Sequence, residues 1–176
     1  IGAGTYGQVF FCVGSDETVY VEKIVKTLDK PEGDAKRPKG EGMLLEKCNH
    51  PFVVRAMPSH HGPRVIRMEY CQGGDLHRRI QIMKAADKYF VEAEVINLFV
   101  QMLLAVQYLH SLVILHRDIK PANFLLETDS GPVKLGDFGS SCADVSVGAT
   151  MQRTLCGTYT TVAPELLQNQ TRDTLK

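Results

Sequence analysis

Over the first part of the chain the apolar residues come in short runs, not in helical stripes. Gln8-Val9-Phe10-Phe11-Cys12-Val13 and Thr18–Lys26 are rich in β-branched and aromatic side chains, which predicts two strands. Gly14-Ser15-Asp16-Glu17 turns the chain between them. Phe52–Met57 and Arg64–Glu69 predict two more, joined by the polar turn Ser59-His60-His61-Gly62-Pro63. Between these pairs, Met43-Leu44-Leu45 sits in a stretch crowded by Pro31, Gly33, Pro38, Gly40 and Gly42. A glycine costs a helix interior about 1 kcal/mol and a proline about 3, so the helix expected here starts late, near Lys39, and is short or loosely docked.

The pattern then changes. Gly73-Gly74 opens a helix running to about Lys84, and Val95, Leu98, Phe99, Met102, Ala105, Val106 and Leu109 recur at threes and fours between Glu92 and Ser111. That spacing predicts a long helix whose stripe belongs to the core. Three short apolar runs follow, Val113–Leu115, Phe124–Leu126 and Val133–Leu135, with Asp129-Ser130-Gly131-Pro132 as the turn before the last. Ser140–Leu155 is polar and suits a mobile loop.

Composition narrows the function classes. A chain of 176 residues holds one or at most two small domains, and 44% hydrophobic residues suffice for a core. Twenty basic and twenty acidic residues cancel, and no polybasic run occurs, which argues against nucleic acid or an anionic membrane as partner. Asn97, Gln101 and Gln107 interrupt the longest apolar stretch, Val95–Leu109, which argues against a membrane span. Five cysteines without a C-x-x-C pair read as free thiols in a reducing, intracellular setting, cytoplasmic or nuclear. His60-His61, with His50 nearby, lacks a second ligand pair at zinc spacing. The chain begins at Ile1, directly on a glycine motif and without a methionine, and so reads as a fragment.

That motif is Gly2-Ala3-Gly4-Thr5-Tyr6-Gly7-Gln8-Val9, a G-x-G-x-x-G-x-V pattern. A dinucleotide fingerprint must open a helix, whereas strand composition follows here, and there is no G-K-[ST] of a Walker site. A glycine loop between two strands can instead fold over phosphates, its backbone N–H groups approaching them. Further on, His116-Arg117-Asp118 and Lys120-Pro121-Ala122-Asn123 make one polar loop, and Asp137-Phe138-Gly139 follows a predicted hairpin.

These motifs, in this order, resemble the signature set of eukaryotic protein kinases of the Ser/Thr type, and the resemblance spans essentially the whole chain. Met68-Glu69-Tyr70-Cys71, His116–Asn123 and Leu135–Gly139 look most like the NimA-related (NEK) group, and Ala163-Pro164-Glu165 resembles the close of an activation segment. The resemblance implies an α+β, bilobal fold: an antiparallel-sheet N-lobe with one helix over 1–70, and a truncated, mainly helical C-lobe over 71–176. It implies transfer of the γ-phosphate of ATP to Ser/Thr hydroxyls of a protein substrate. Such a reaction asks for positioning and charge stabilisation more than covalent chemistry.

Asp118 would then orient the acceptor hydroxyl or take its proton, with Lys120 as a cation beside it. Asp137 and Asn123 would hold Mg²⁺, a hard cation that prefers oxygen. Lys23 would pair the phosphates and Glu41 would pair Lys23, although Lys26 is a nearby competitor and a solvated helix-end residue is the alternative reading of Glu41. ATP would lie among Ile1, Gly2, Gly4, Gly7, Val9, Val21, Lys23, Met68, Glu69, Cys71, Asp75 and Leu125, with Val21 standing where the family has alanine. Asp75 would reach the ribose, and backbone groups of Glu69 to Cys71 the adenine. Thr154 resembles an activation phosphosite that an activating kinase would modify, and also reads as an ordinary loop threonine; Arg117 would be the cation awaiting its phosphate. Thr161 stands where the family usually has Tyr. The family's later helices are missing, so exposed apolar surface is expected on the second lobe. The alternative is a pseudokinase or scaffolding module that does no chemistry.

Overall fold

The glycine motif forms a hairpin. β1 (Gly2–Gly4) and β2 (Gly7–Val13) pair antiparallel, Gly2 opposite Val9 and Gly4 opposite Gly7. The computed structural model describes residues 2–4, 7–25, 40–59, 64–143, 158, 160–162 and 164. β3 (Val19–Val25) and β5 (Val65–Glu69) continue an antiparallel sheet, with β4 (Ala56–Met57) at its edge, in the order β1-β2-β3-β5-β4. Gly7 is required by packing: a Cβ there would lie 2.4 Å from the Ile24 carbonyl oxygen on β3.

The short helix predicted after the breaker-rich stretch is α1 (Glu41–Leu45), with Gly40 as an N-cap lacking a side-chain bond. It is short but not loosely docked. Leu44 and Leu45 are among the most buried side chains of the core, and α1 packs on β5 and on the 3₁₀ turn Phe138–Ser140. The strand predicted over Phe52–Met57 is confined to Ala56–Met57. Residues 52–54 bond instead across to the second lobe: Leu135 N–H donates to Phe52 O at 2.9 Å and Val54 N–H to Leu135 O at 3.0 Å.

Past β5 the chain turns at Gln72-Gly73-Gly74. A Cβ on Gly73 would sit 2.5 Å from the Thr128 carbonyl oxygen, and Gly74 has φ +71°, so both positions need glycine. α2 (Leu76–Ala85) is capped by Asp75, whose Oδ1 accepts the Arg78 N–H at 2.8 Å. α3 (Glu92–Ser111) starts where the Val91 N–H donates to Glu94 Oε2 at 3.1 Å. The runs read as strands become β6 (Ile114–Leu115), β7 (Phe124–Leu126) and β8 (Val133–Leu135). β7 and β8 form an antiparallel hairpin, and β6 pairs with β9 (Cys142–Ala143).

The stripe on α3 is only partly core. Ala105 and Leu109 are fully buried and Gln101 accepts the Val133 N–H at 2.9 Å, but Val95 is 50% and Phe99 58% exposed. One side of the helix packs on β8 and β6; Ile96, Val100, Leu103 and Leu104 on the other sides stay exposed. Exposed apolar surface was expected on this lobe, and α3 carries it. By length and hydropathy alone α3 would pass as a bilayer-spanning helix, a test that core helices also pass.

Candidate active site

The sheet register aligns the upper half of the site. Val9 pairs with Lys23 and Met68 with Val21, so Val9, Val21, Lys23 and Met68 share one face. Val21 and Met68 are buried there. Leu125 on β7 comes from the second lobe, where it bridges to Asp75. Cys71 is buried and its thiol is pushed up to about 12, chiefly by desolvation and then by Glu69, which keeps it protonated and unreactive.

Lys23 joins three elements. Its Nζ lies 2.7 Å from Glu41 Oε1 on α1 and 2.7 Å from Asp137 Oδ1, after β8. Burial alone would lower the Lys23 pKa, but the two carboxylates outweigh it and hold the ammonium above its usual range. Burial pushes the Glu41 carboxyl up, and Lys23 offsets this only in part. Glu41 is thus an interior residue, not a solvated helix end. Lys26 lies outside the described residues, as do Ile1, Thr154, Lys39, Glu165 and His60-His61.

Asp118 follows β6 on a loop whose preceding Arg117 has φ +64°. Both oxygens of its carboxylate have partners. Oδ1 accepts the Thr158 N–H at 2.9 Å and the Thr158 hydroxyl at 2.8 Å, and Oδ2 accepts Asn123 Nδ2 at 3.0 Å and lies 2.8 Å from Lys120 Nζ. Burial would raise its pKa, yet the hydrogen bonds from Lys120, Thr158 and Asn123 win and hold it below the usual carboxylate value. Lys120 Nζ also donates to the Thr158 hydroxyl at 2.6 Å, closing a ring. Nothing in the sequence reading singled out Thr158, because forty positions separate it from Asp118.

Two hydrogen bonds tie the Asp118 loop to the Asp137 turn. Asn123 Nδ2 donates to Asp118 O at 2.7 Å, and the Gly136 N–H donates to Asn123 O at 2.8 Å, one residue before Asp137. Asp137 itself takes a left-handed φ of +56°, a conformation costing about 1–3 kcal/mol in a non-glycine residue that clusters at functional sites. The Asp137 carboxylate and the Asn123 amide carbonyl are hard oxygen donors, suited to a divalent cation that takes its other ligands from phosphate and water. No cluster of three or more His, Cys, Asp or Glu residues suited to a metal occurs among the described residues. Arg117 donates from Nε to Ser140 O at 2.6 Å.

The buried His116 supports this loop. Its Nε2 is 2.8 Å from Gly136 O, its ring meets Phe138 edge-on at 5.2 Å, and its Nδ1 has no hydrogen-bond partner.

With this geometry, the comparisons fix the class. The family description "Protein kinase domain" matches residues 1–175, and the chain belongs to the protein kinase family. The curated relatives are serine/threonine-protein kinases. Putative serine/threonine-protein kinase A of Trypanosoma brucei brucei is 37% identical over 175 residues, covering 97% of this chain and 40% of the relative. Nek5 of Homo sapiens is 36% identical over 173 residues (97% and 24%), and Nek3 of Mus musculus 37% over 172 (96% and 32%). The chain thus spans at most about 40% of these relatives' length. Membership implies ATP and a divalent metal in general.

Burial holds the His116 pKa below its ordinary 6.5 despite the Gly136 bond and the carboxylates nearby. The folded state therefore binds fewer protons than the unfolded one below that value. Stability from this site is full above 6.5 and is lost as pH falls. Thermal unfolding at about pH 7.5 and about pH 5.5 should show a larger drop for the parent than for His116→Gln. Equal drops would contradict the assignment.

Proposed function

We propose that the chain is the catalytic part of an ATP- and Mg²⁺-dependent Ser/Thr protein kinase acting on protein substrates. The observation that carries this reading is the meeting of Lys23, Glu41 and Asp137, with Asp118 in its ring of donors a short loop away. In this reading residues 1–70 and 71–176 are its two lobes. Val9, Val21, Met68 and Leu125 enclose the adenine, the 69–71 backbone bonds its edge, and the glycine hairpin covers the phosphates. Asp75 keeps one carboxylate oxygen as a helix cap, leaving the other for the ribose.

Mg²⁺, held by Asp137 and Asn123, would supply charge neutralisation at the phosphates. Lys23 fixes the phosphates, and Glu41 fixes Lys23. Asp118, kept ionised, orients the acceptor hydroxyl and accepts its proton, while Lys120 lies 2.8 Å from it as a counter-charge for the transferring group. Asp118→Asn should lower turnover by at least about a hundredfold with nucleotide binding retained. Transfer of labelled phosphate to a generic basic protein, unchanged by that substitution, would refute the assignment.

A phosphate on Thr154, placed by this or another kinase and received by Arg117, belongs to the same reading. After incubation with ATP, Thr154→Ala should be several-fold less active than the parent; equal activity removes the switch. An intracellular location is also part of it, supported by the unpaired Cys12, Cys48, Cys71 and Cys142. A nucleotide-binding module without transfer is the second reading, favoured by the absence of a side-chain cap on the five-residue α1. Stabilisation by Mg-ATP without phosphate transfer would select it.

A further inference from the structure

Away from the reacting groups, a second buried lysine holds two carboxylates. Lys134 on β8 is 8% exposed; its Nζ lies 2.8 Å from Glu69 Oε2 and 3.1 Å from Glu127 Oε1. Glu69 ends β5, and its other oxygen accepts the Arg55 N–H at 2.8 Å while its own N–H donates to Arg55 O at 3.1 Å. The next stretch is tied to the same hairpin by main-chain bonds. Gln72 N–H donates to Glu127 O, Gly73 N–H to Leu126 O, and Leu126 N–H to Gly74 O. The connection between the lobes is therefore pinned to the β7–β8 hairpin at Glu69 by an ion pair and at 72–74 by backbone.

Placement gives this pair its meaning. Lys134 is the cross-strand partner of Leu125, so the same face of the hairpin carries the apolar residue assigned to the base and the ammonium that reaches Glu69. Three residues after Lys134 comes Asp137. One rigid strand thus links the backbone facing the adenine edge to the carboxylate at the phosphate end. A buried ion pair contributes little net stability, because desolvation offsets the attraction, and its best-supported use is to fix geometry.

We propose that Lys134 is a positioning residue for the nucleotide: through Glu69 it sets the 69–71 backbone at the distance from Asp137 that one ATP molecule spans. This rests on the kinase reading above. Lys134 acts through Glu69 and does not touch the reacting atoms.

The test uses the full chain, with ATP and GTP as alternative donors. Lys134→Met should raise the KM for ATP about tenfold with kcat within about twofold, and should lower the preference for ATP over GTP. Lys134→Arg should recover most of both, and Glu127→Gln, at the half-exposed partner, should leave both within about twofold. If Lys134→Met fails to fold, Glu69→Gln tests the same link, because it weakens the attraction at unchanged shape, and it should move KM and base preference the same way. A parent that transfers phosphate while these variants keep its KM and base preference, losing only thermal stability, overturns the inference alone. A parent that neither binds nor uses Mg-ATP overturns the kinase reading on which it rests.

Discussion

One ammonium between two carboxylates sets the terms for the rest of the structure. Lys23 is buried on a central strand and reaches Glu41 on α1 and Asp137 beyond β8, so three distant segments meet at one point. Such a cluster is poor value as a source of stability. Removing one partner of a buried pair costs about 3–5 kcal/mol, yet replacing the whole pair by apolar groups is often neutral or better. What the charges supply is a fixed position. The core under α1, with Leu44 and Leu45 fully enclosed, holds the helix so that Glu41 can supply its half.

The second lobe meets this point through main chain. β7 and β8 form a hairpin, Gly136 bonds back to Asn123, and Asn123 bonds Asp118, so the loop bearing Asp118 and the turn bearing Asp137 cannot move independently. His116 and Phe138 fill the space beneath them. Residues 52–54 pair with Leu135 and join β8 to the first lobe from the other side. Lys134 and Glu69 add a further tie from the same strand. β8, only three residues long, is where the lobes are joined.

Much of this was legible because local chemistry and fold agree. The glycine motif was read as a loop between two strands from the β-branched and aromatic residues after it, and the register with β3 places Lys23 opposite Val9. The breaker-rich stretch forecast a late, short helix, but not its firm docking, which depends on Leu44 and Leu45 meeting the core. Phe52–Met57 looked like one strand; most of it satisfies its backbone across the lobes, a tertiary choice that local pattern does not record. The α3 stripe was read as wholly core, yet periodicity shows only that a face is apolar, not that something covers it. Thr158 and the Lys134–Glu69 pair left no local trace, since their partners lie 40 and 65 positions away.

The most direct test of the central claim is a double-mutant cycle on Lys23→Met and Glu41→Gln, read as the KM for ATP. If Glu41 acts only by placing Lys23, either single change should cost nearly as much as both together, with a coupling of at least about 1 kcal/mol. Strictly additive costs would mean that the two residues act separately, and the ion pair would not be what organises the site.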